Sequence, residues 1–262
     1  MSPSPKQPAI EVTCFRCGLP GDVVWRRNDY QMMRCPQCEQ QFVSPRSVGF
    51  DSIYQAADYF DGMNQTNRVA SMFRRVWFRS RHRAIRRWSN RGAKATLIEI
   101  GPSWGEFVQS SVDAGYHVAA SEFSESAATV VEQRFGIPVQ RGSFTAQFFL
   151  DAGFGNADVV CFWDVIEHVP DPSMFVAEVH RVCRPGSVVG FSCPDAGTPL
   201  ARMMRSKWHT FKPDEHLWHF NQATIRRLFD EAGFDIRWLS SSPLRGANLL
   251  RFDCMTGVAV RR

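Results

Sequence analysis

Glu99-Ile100-Gly101-Pro102-Ser103-Trp104-Gly105-Glu106-Phe107 is the stretch on which the fold of this 262-residue chain is decided. An apolar run over 95–100 leads into it, as a buried strand would, and residues 106–114 leave it with helical periodicity. A small-residue turn between strand and helix is where an open α/β sheet receives a nucleotide-type ligand. A dinucleotide fingerprint needs glycine at 101, 103 and 106, but 103 is serine and 106 is glutamate. A carboxylate in the first helical turn also repels a pyrophosphate resting on the helix N-terminus. The turn therefore argues against NAD or FAD.

A nucleoside ligand without phosphate, such as S-adenosylmethionine, fits the same turn. Glu122 lies 23 residues after Glu99, at the end of the next expected strand, and is placed to accept both ribose hydroxyls. Further along, strands are expected over 117–121, Val139–Arg141, 158–163 and 188–193, with a helix over 124–135. Asp171-Pro172 reads as a helix cap followed by proline in the first turn, and Asn221 caps another helix that stops at Gly233. Strands alternating with helices predict an α/β fold with a mostly parallel sheet.

Upstream, the chain changes character. Cys14-x2-Cys17 and Cys35-x2-Cys38, separated by seventeen residues, have the spacing of a zinc site. Two such knuckles close a tetrahedral site around one ion, leaving no position for a catalytic water. A hairpin around Asn28-Asp29 connects them, and a unit this small needs the metal to fold. Two disulfides are the competing reading, disfavoured because the first residues lack the apolar core of a signal peptide. That same absence, with no apolar run of transmembrane length, leads to the expectation of a soluble, cytoplasmic protein without a membrane partner.

The net charge of +5 hints at an acidic partner, but it is local. Nine arginines and no carboxylate lie between Arg68 and Arg91; without them 22 basic residues face 26 acidic ones. Within this segment Val69, Met72, Phe73, Val76, Trp77, Ala84, Ile85 and Trp88 form the apolar stripe of an amphipathic helix. Its arginines suit either a phosphate-bearing partner or a solvated face paired with carboxylates; no aromatic residue interleaves them for base stacking, which favours the second. The expected organisation is a tail over 1–13, a zinc ribbon over 14–50, an arginine-rich helical connector over 51–92, and an α/β domain over 93–262.

IEIGPSWGEF, the SEF strand end, ADVVCFWDVIEHVPDP, RVCRPGSVVGFSCPD, EHLWHFN and EAGF, in that order, resemble the signature stretches of class I S-adenosylmethionine-dependent methyltransferases. With the ribbon in front, the chain is similar to a zinc-ribbon subgroup associated with sugars, polysaccharides and natural products. The resemblance implies a Rossmann-like, seven-stranded, mostly parallel sheet. It implies cofactor contacts from Glu99, Gly101, Ser103, Gly105, Phe107, Glu122, Phe123, Ser143, Phe144, Trp163 and Asp164. The stretch Arg141-Gly142-Ser143-Phe144 lacks the acidic residue commonly found near the adenine.

Methyl transfer is an in-line displacement, and a general base is needed only where the acceptor must lose a proton. His168 is the first candidate, against the alternative that it only fixes its loop; Asp164 and Glu167 flank it. Asp164, Glu167 and His168 also resemble the E-x-x-E-H metal cluster of quinone-biosynthesis O-methyltransferases, with Asp in place of the first Glu. Residues 195–220 are long for a connection and read as a lid carrying Trp208, His209, His216, Trp218 and His219 toward the acceptor. Family resemblance favours His216 among these. The expected activity is O-methylation of a small molecule or sugar intermediate with a histidine base. A zinc-ribbon RNA methyltransferase and a non-catalytic interaction module are the alternatives.

Overall fold

The computed structural model describes residues 9–47, 78–89, 95–241 and 253–262. The ribbon contains β1 (Ala9–Ile10), β2 (Asp22–Arg27), β3 (Tyr30–Arg34), β4 (Gln41–Ser44) and β5 (Arg46–Ser47). Asn28 turns the β2–β3 hairpin with φ at 54°, a left-handed conformation asparagine tolerates. Helix α1 covers 78–86. There follow β6 (Thr96–Ile100), α2 (Glu106–Asp113), β7 (His117–Glu122), α3 (Glu125–Phe135), β8 (Val139–Arg141), α4 (Ala146–Asp151), β9 (Ala157–Trp163) and α5 (Pro172–Val182). The chain continues through β10 (Cys183–Pro194), α6 (Pro199–Met204), a 3-10 turn (Arg205–Lys207), β11 (Trp218–His219), α7 (Gln222–Glu231), β12 (Phe234–Ser240) and β13 (Cys254–Arg261).

The main sheet runs β12-β13-β10-β9-β6-β7-β8. Only β13 is antiparallel to its neighbours, so the expected seven-stranded, mostly parallel sheet is present. Its strands read as continuous apolar runs because helices cover both faces: in β9 every residue but Asp158 is buried. The strand order reverses at the β6–β9 boundary, which opens a crevice at the strands' carboxyl ends. Local chemistry sets the helix starts. Asp171 accepts hydrogen bonds from the amides of Ser173 (2.8 Å) and Met174 (3.0 Å), and Asn221 with Thr224 forms a capping box.

The stripe from Val69 to Trp77 lies outside the described residues. Ile85 does not: it is fully buried among Leu97, Phe107 and Val118, so α1 is part of the α/β core. The ribbon is equally committed. Its sheet is ordered β11-β4-β3-β2, and the β11 strand comes from the 195–220 stretch. Trp218 of that strand packs against Phe15 and Phe42 of the ribbon, with ring centroids 4.8 and 5.9 Å apart. Arg16 pairs with Glu231, and Gln40 Nε2 donates to the His219 carbonyl at 3.1 Å. The 195–220 stretch, expected as a lid, is thus stitched to the ribbon by a β-ladder. No helix among the described residues is long and apolar enough to cross a membrane.

Candidate cofactor and acceptor site

At the switch point, the turn after β6 is held open by its small residues. Gly101 and Gly105 have φ at 72° and 76°. A Cβ on Gly101 would lie 2.7 Å from Val165, and one on Gly105 would lie 2.4 Å from Phe135. Ser103 also takes a positive φ, 51°, and its amide donates to Glu122 Oε2 at 2.9 Å. The other Glu122 oxygen accepts the Ser124 amide at 3.0 Å. Burial raises the Glu122 carboxyl above its usual range, and hydrogen bonds from Ser124, Ser103 and Phe123 oppose that rise. Two oxygens with about four acceptor sites leave capacity for a pair of ribose hydroxyls.

Glu99 lies 2% exposed on β6. Burial pushes its carboxyl up to about 8, with Arg81 pulling down and Glu122 pushing up. Three buried atoms in this crevice have no hydrogen-bond partner among the described residues: Glu99 Oε2, Ser103 Oγ and Trp163 Nε1. Two buried carboxylates, unsatisfied polar atoms and a cradle that a Cβ would fill suit a ligand carrying positive charge and hydroxyls. S-adenosylmethionine, a sulfonium with a ribose, meets that description. Of the remaining sequence candidates, Phe107 is buried beneath α1, where His82 stacks on it at 4.5 Å. Phe123 is half-buried beside Glu122, and Ser143 is exposed. Phe144 packs on Phe149 and Phe175, with centroids at 5.2 and 6.0 Å.

Arg81 is one of the nine arginines between 68 and 91, and nothing in their spacing singles it out. Its guanidinium lies 4.2 Å from the Trp163 ring centre and 4.0 Å from Asp164 Oδ2, and donates to Ser192 Oγ at 3.4 Å. Asp164 takes φ of 56° and accepts from Ser192 Oγ at 3.2 Å and Cys254 Sγ at 3.5 Å. It belongs to this group at the end of β9 and β10.

The grouping of ligand atoms differs from the Asp164–Glu167–His168 set of the E-x-x-E-H resemblance. Glu167, His168 and His216 are the residues whose ligand atoms lie within 4.8 Å of one another, and Asp164 is not among them. The substitution follows from backbone stitching: the Leu217 and Trp218 amides donate to the Glu167 carbonyl at 2.8 and 3.2 Å, drawing 215–218 against 164–168. His168 Nδ1 donates to the Glu215 carbonyl at 2.9 Å, and His216 Nδ1 donates to the Thr210 carbonyl at 2.7 Å. A carbonyl can only accept, so both rings carry their lone pair on Nε2. Burial lowers the pKa of both imidazoles, that of His216 strongly, and drives His219 down to about 3. All three are neutral at pH 7.

The lid aromatics have other work. Trp218 is 2% exposed, fixed by the ribbon and by its Nε1 donating to the Val169 carbonyl at 2.8 Å. Trp208 Nε1 donates to Asp253 at 2.7 Å, and His209 approaches the same carboxylate at 3.3 Å.

In the ribbon, Cys14, Cys17, Cys35 and Cys38 bring their sulfurs within 4.8 Å of one another, all as free thiols. The Cys14–Cys38 pair is 3.5 Å apart. Tetrahedral Zn–S bonds of about 2.3 Å put sulfurs about 3.8 Å apart, so the set fits a zinc ion. Burial pushes the Cys14 thiol up to about 12 and Cys17 up to about 11, and a bound cation would hold both as thiolates.

A family model described as "Methyltransferase domain" matches residues 69–238, more than half of the chain, and starts 24 residues before the expected domain boundary at 93. A Mycolicibacterium smegmatis protein named "Probable S-adenosylmethionine-dependent methyltransferase" is 27% identical over 187 residues, covering 70% of this chain and 68% of that protein. The ubiquinone biosynthesis O-methyltransferase of Aromatoleum aromaticum is 32% identical over 111 residues, 40% of this chain. This chain spans 47% of that relative's length. Among solved structures, an S-adenosylmethionine-dependent methyltransferase from Mesorhizobium loti superposes with a TM-score of 0.55 at 15% identity, covering 70% of this chain and 98% of that one. Magnesium protoporphyrin IX methyltransferase from Synechocystis gives 0.54 at 16% identity, covering 81% and 97%. At such identities these two establish the fold.

Proposed function

The chain belongs to the methyltransferase-domain family, and from that premise we propose that it methylates an oxygen of a small molecule or sugar-type intermediate, with His168 as general base. S-adenosylmethionine, when bound, supplies a methyl group on an already activated sulfonium carbon. The chain's own residues then have three tasks. Glu122 holds the ribose, and Gly101, Ser103 and Gly105 admit the ligand to the backbone. Glu99 and Asp164, at the ends of β6 and β9, place negative charge near the sulfonium. Arg81 lies between them and is suited to the carboxylate of the methionine part.

One observation carries the oxygen-acceptor reading: His168 is tethered through Nδ1–H, which puts its lone pair on Nε2, 3.9 Å from Glu167 Oε1, and burial lowers its pKa so that the imidazole can take a hydroxyl proton. His216, tethered in the same way, holds the acceptor hydroxyl in place. The test is methyl transfer to a panel of phenols and sugar alcohols. His168→Ala should lower kcat by about a hundredfold or more with S-adenosylmethionine affinity unchanged. Full turnover in that variant would remove the base.

The grouping of Glu167 with two Nε2 atoms favours a second reading of the same acceptor site. Glu167, His168 and His216 would hold a divalent ion, and that ion would polarise the acceptor oxygen. Nδ1–H bonds to backbone carbonyls are the outer-sphere support that metal-bound imidazoles receive. Nε2 of His168 cannot bind a metal and a substrate proton together. Activity abolished by mild chelation that spares the four-thiolate site would select the metal. For the ribbon we assign a structural zinc at Cys14, Cys17, Cys35 and Cys38.

A further inference from the structure

Between the ribbon hairpin and the α6 region lies a cleft of about 500 Å³ that the reaction as described does not use. Clefts of about 300–1,000 Å³ are the size that takes a small ligand. Trp25 of β2 and Trp208 stand in its wall, and Arg34, Arg202 and Arg205 line it together with one carboxylate, Glu39. The lining is therefore cationic overall. Arg27 of β2, by contrast, is occupied, donating to the carbonyls of Ser206 at 3.1 Å and Phe211 at 2.7 Å. The guanidinium groups of Arg34, Arg202 and Arg205, all exposed, make no ion pair or hydrogen bond among the described residues, and Arg202 acts only through space on the Asp195 carboxyl. Three like charges facing one cleft repel one another, a cost that an anion seated between them reverses.

A second feature points the same way. Arg205 has φ 47° and ψ −118°, a combination that side-chain-bearing residues seldom adopt. A regular continuation of α6 would carry its side chain elsewhere. Ala196, also in the wall, follows directly on β10, whose Ser192 bonds Asp164. The cleft is thus on the same carboxyl edge of the sheet as the reaction site.

We propose that this cleft binds the phosphate or diphosphate group of the acceptor, anchoring its charged end while its hydroxyl reaches His168. The proposal rests on the small-molecule methyltransferase reading and names the acceptor's class: a phosphorylated compound with an aromatic or sugar moiety against the half-buried Trp25.

Inorganic phosphate and pyrophosphate are titrated calorimetrically into the full, zinc-loaded chain. Arg34→Ala, Arg202→Ala and Arg205→Ala are compared with their lysine counterparts, and S-adenosylmethionine is titrated into each. Saturable pyrophosphate binding is expected, weakened about tenfold to a hundredfold by each alanine and partly restored by lysine, with S-adenosylmethionine affinity unchanged. Pyrophosphate binding far tighter than phosphate indicates a diphosphate acceptor, and equal binding a monoester; both support the site. No saturable binding of either anion, or binding indifferent to all three arginines, in protein that still takes up S-adenosylmethionine overturns it. Binding of a single-stranded RNA with a steep salt dependence, lost in the same variants while pyrophosphate does not bind, overturns it in favour of a nucleic acid. Failure to bind S-adenosylmethionine strikes instead at the underlying reading.

Discussion

Replacing Cys35 with serine should unfold far more than the ribbon. Cys35 is fully buried and grouped with Cys14, Cys38 and Phe42 in the same apolar cluster as Phe162, Phe191 and Phe229 of the main sheet. Without zinc the knuckles lose their geometry, and β4 loses its alignment with β11. Phe42 and Trp218, 0% and 2% exposed, then return toward water. Burying two such side chains contributes about 3–6 kcal/mol. Their aromatic contacts, Phe15–Trp218 and Phe42–Trp218, contribute about 1–3 kcal/mol more. The total of about 4–9 kcal/mol is comparable to the whole stability of a domain, about 5–15 kcal/mol. For a chain of this size that corresponds to a fall in Tm of about 10–30 °C. Differential scanning calorimetry of wild type, Cys35→Ser and chelated protein, with zinc content measured alongside, reads it out. A single transition moving down with zinc loss is expected. A zinc-free protein whose main transition stays within about 2 °C of the zinc-bound form would refute the shared-core reasoning.

Four further outcomes follow from the site and its surroundings. Gly105→Ala combines a positive φ with a Cβ 2.4 Å from Phe135, so it should cost about 1–3 kcal/mol and weaken cofactor binding, seen as a lowered Tm and a raised Kd. Glu99, with its carboxyl raised from 4.5 to about 8, is largely protonated at pH 7; a cationic ligand should ionise it, so binding should release protons. Calorimetry in buffers of different ionisation enthalpy measures that release, and Glu99→Gln should abolish it. His219, lowered from 6.5 to about 3, contributes stability that is present above pH 6.5 and lost as pH falls toward 3. Urea midpoints should therefore drop across that window, and His219→Phe should flatten the drop. Since burial lowers the His168 pKa below 6.5, kcat/KM should rise with pH on the acid side and be level by neutrality, as a pH–rate profile would show.

The main sheet was legible because the levels of the pattern agreed, with apolar runs for β6 and β9 and Asp171 ahead of proline, and the ribbon hairpin was legible from Asn28-Asp29. Two parts were not. The two-residue strand β11 carries too little pattern to be seen, and it exists because Phe42 and Trp218 pack on each other across the chain. The apolar run of β13 has a strand's composition, but its place between β10 and β12 depends on pairing that composition does not encode. In the site, Glu99, the glycine turn and Glu122 follow from one local motif and were found by spacing. Glu167, His168 and His216 come together through the bonds from 217 and 218 to the Glu167 carbonyl, and a local E-x-x-E-H comparison pointed to Asp164 instead. Arg81 was hidden by its neighbours: its role comes from burial against Trp163, which charge counting does not reveal.

The most direct test of the whole account is calorimetric titration of S-adenosylmethionine into wild type and Glu122→Ala. Glu122 lies 5% exposed at the end of β7, held by the Ser103 and Ser124 amides beside the glycine turn. Saturable one-to-one binding is predicted for wild type, with a loss of about tenfold to a hundredfold in the variant as the ribose hydroxyls lose their acceptor. Binding that is absent from wild type, or equally tight in Glu122→Ala, would contradict the placement of the cofactor at this edge of the sheet.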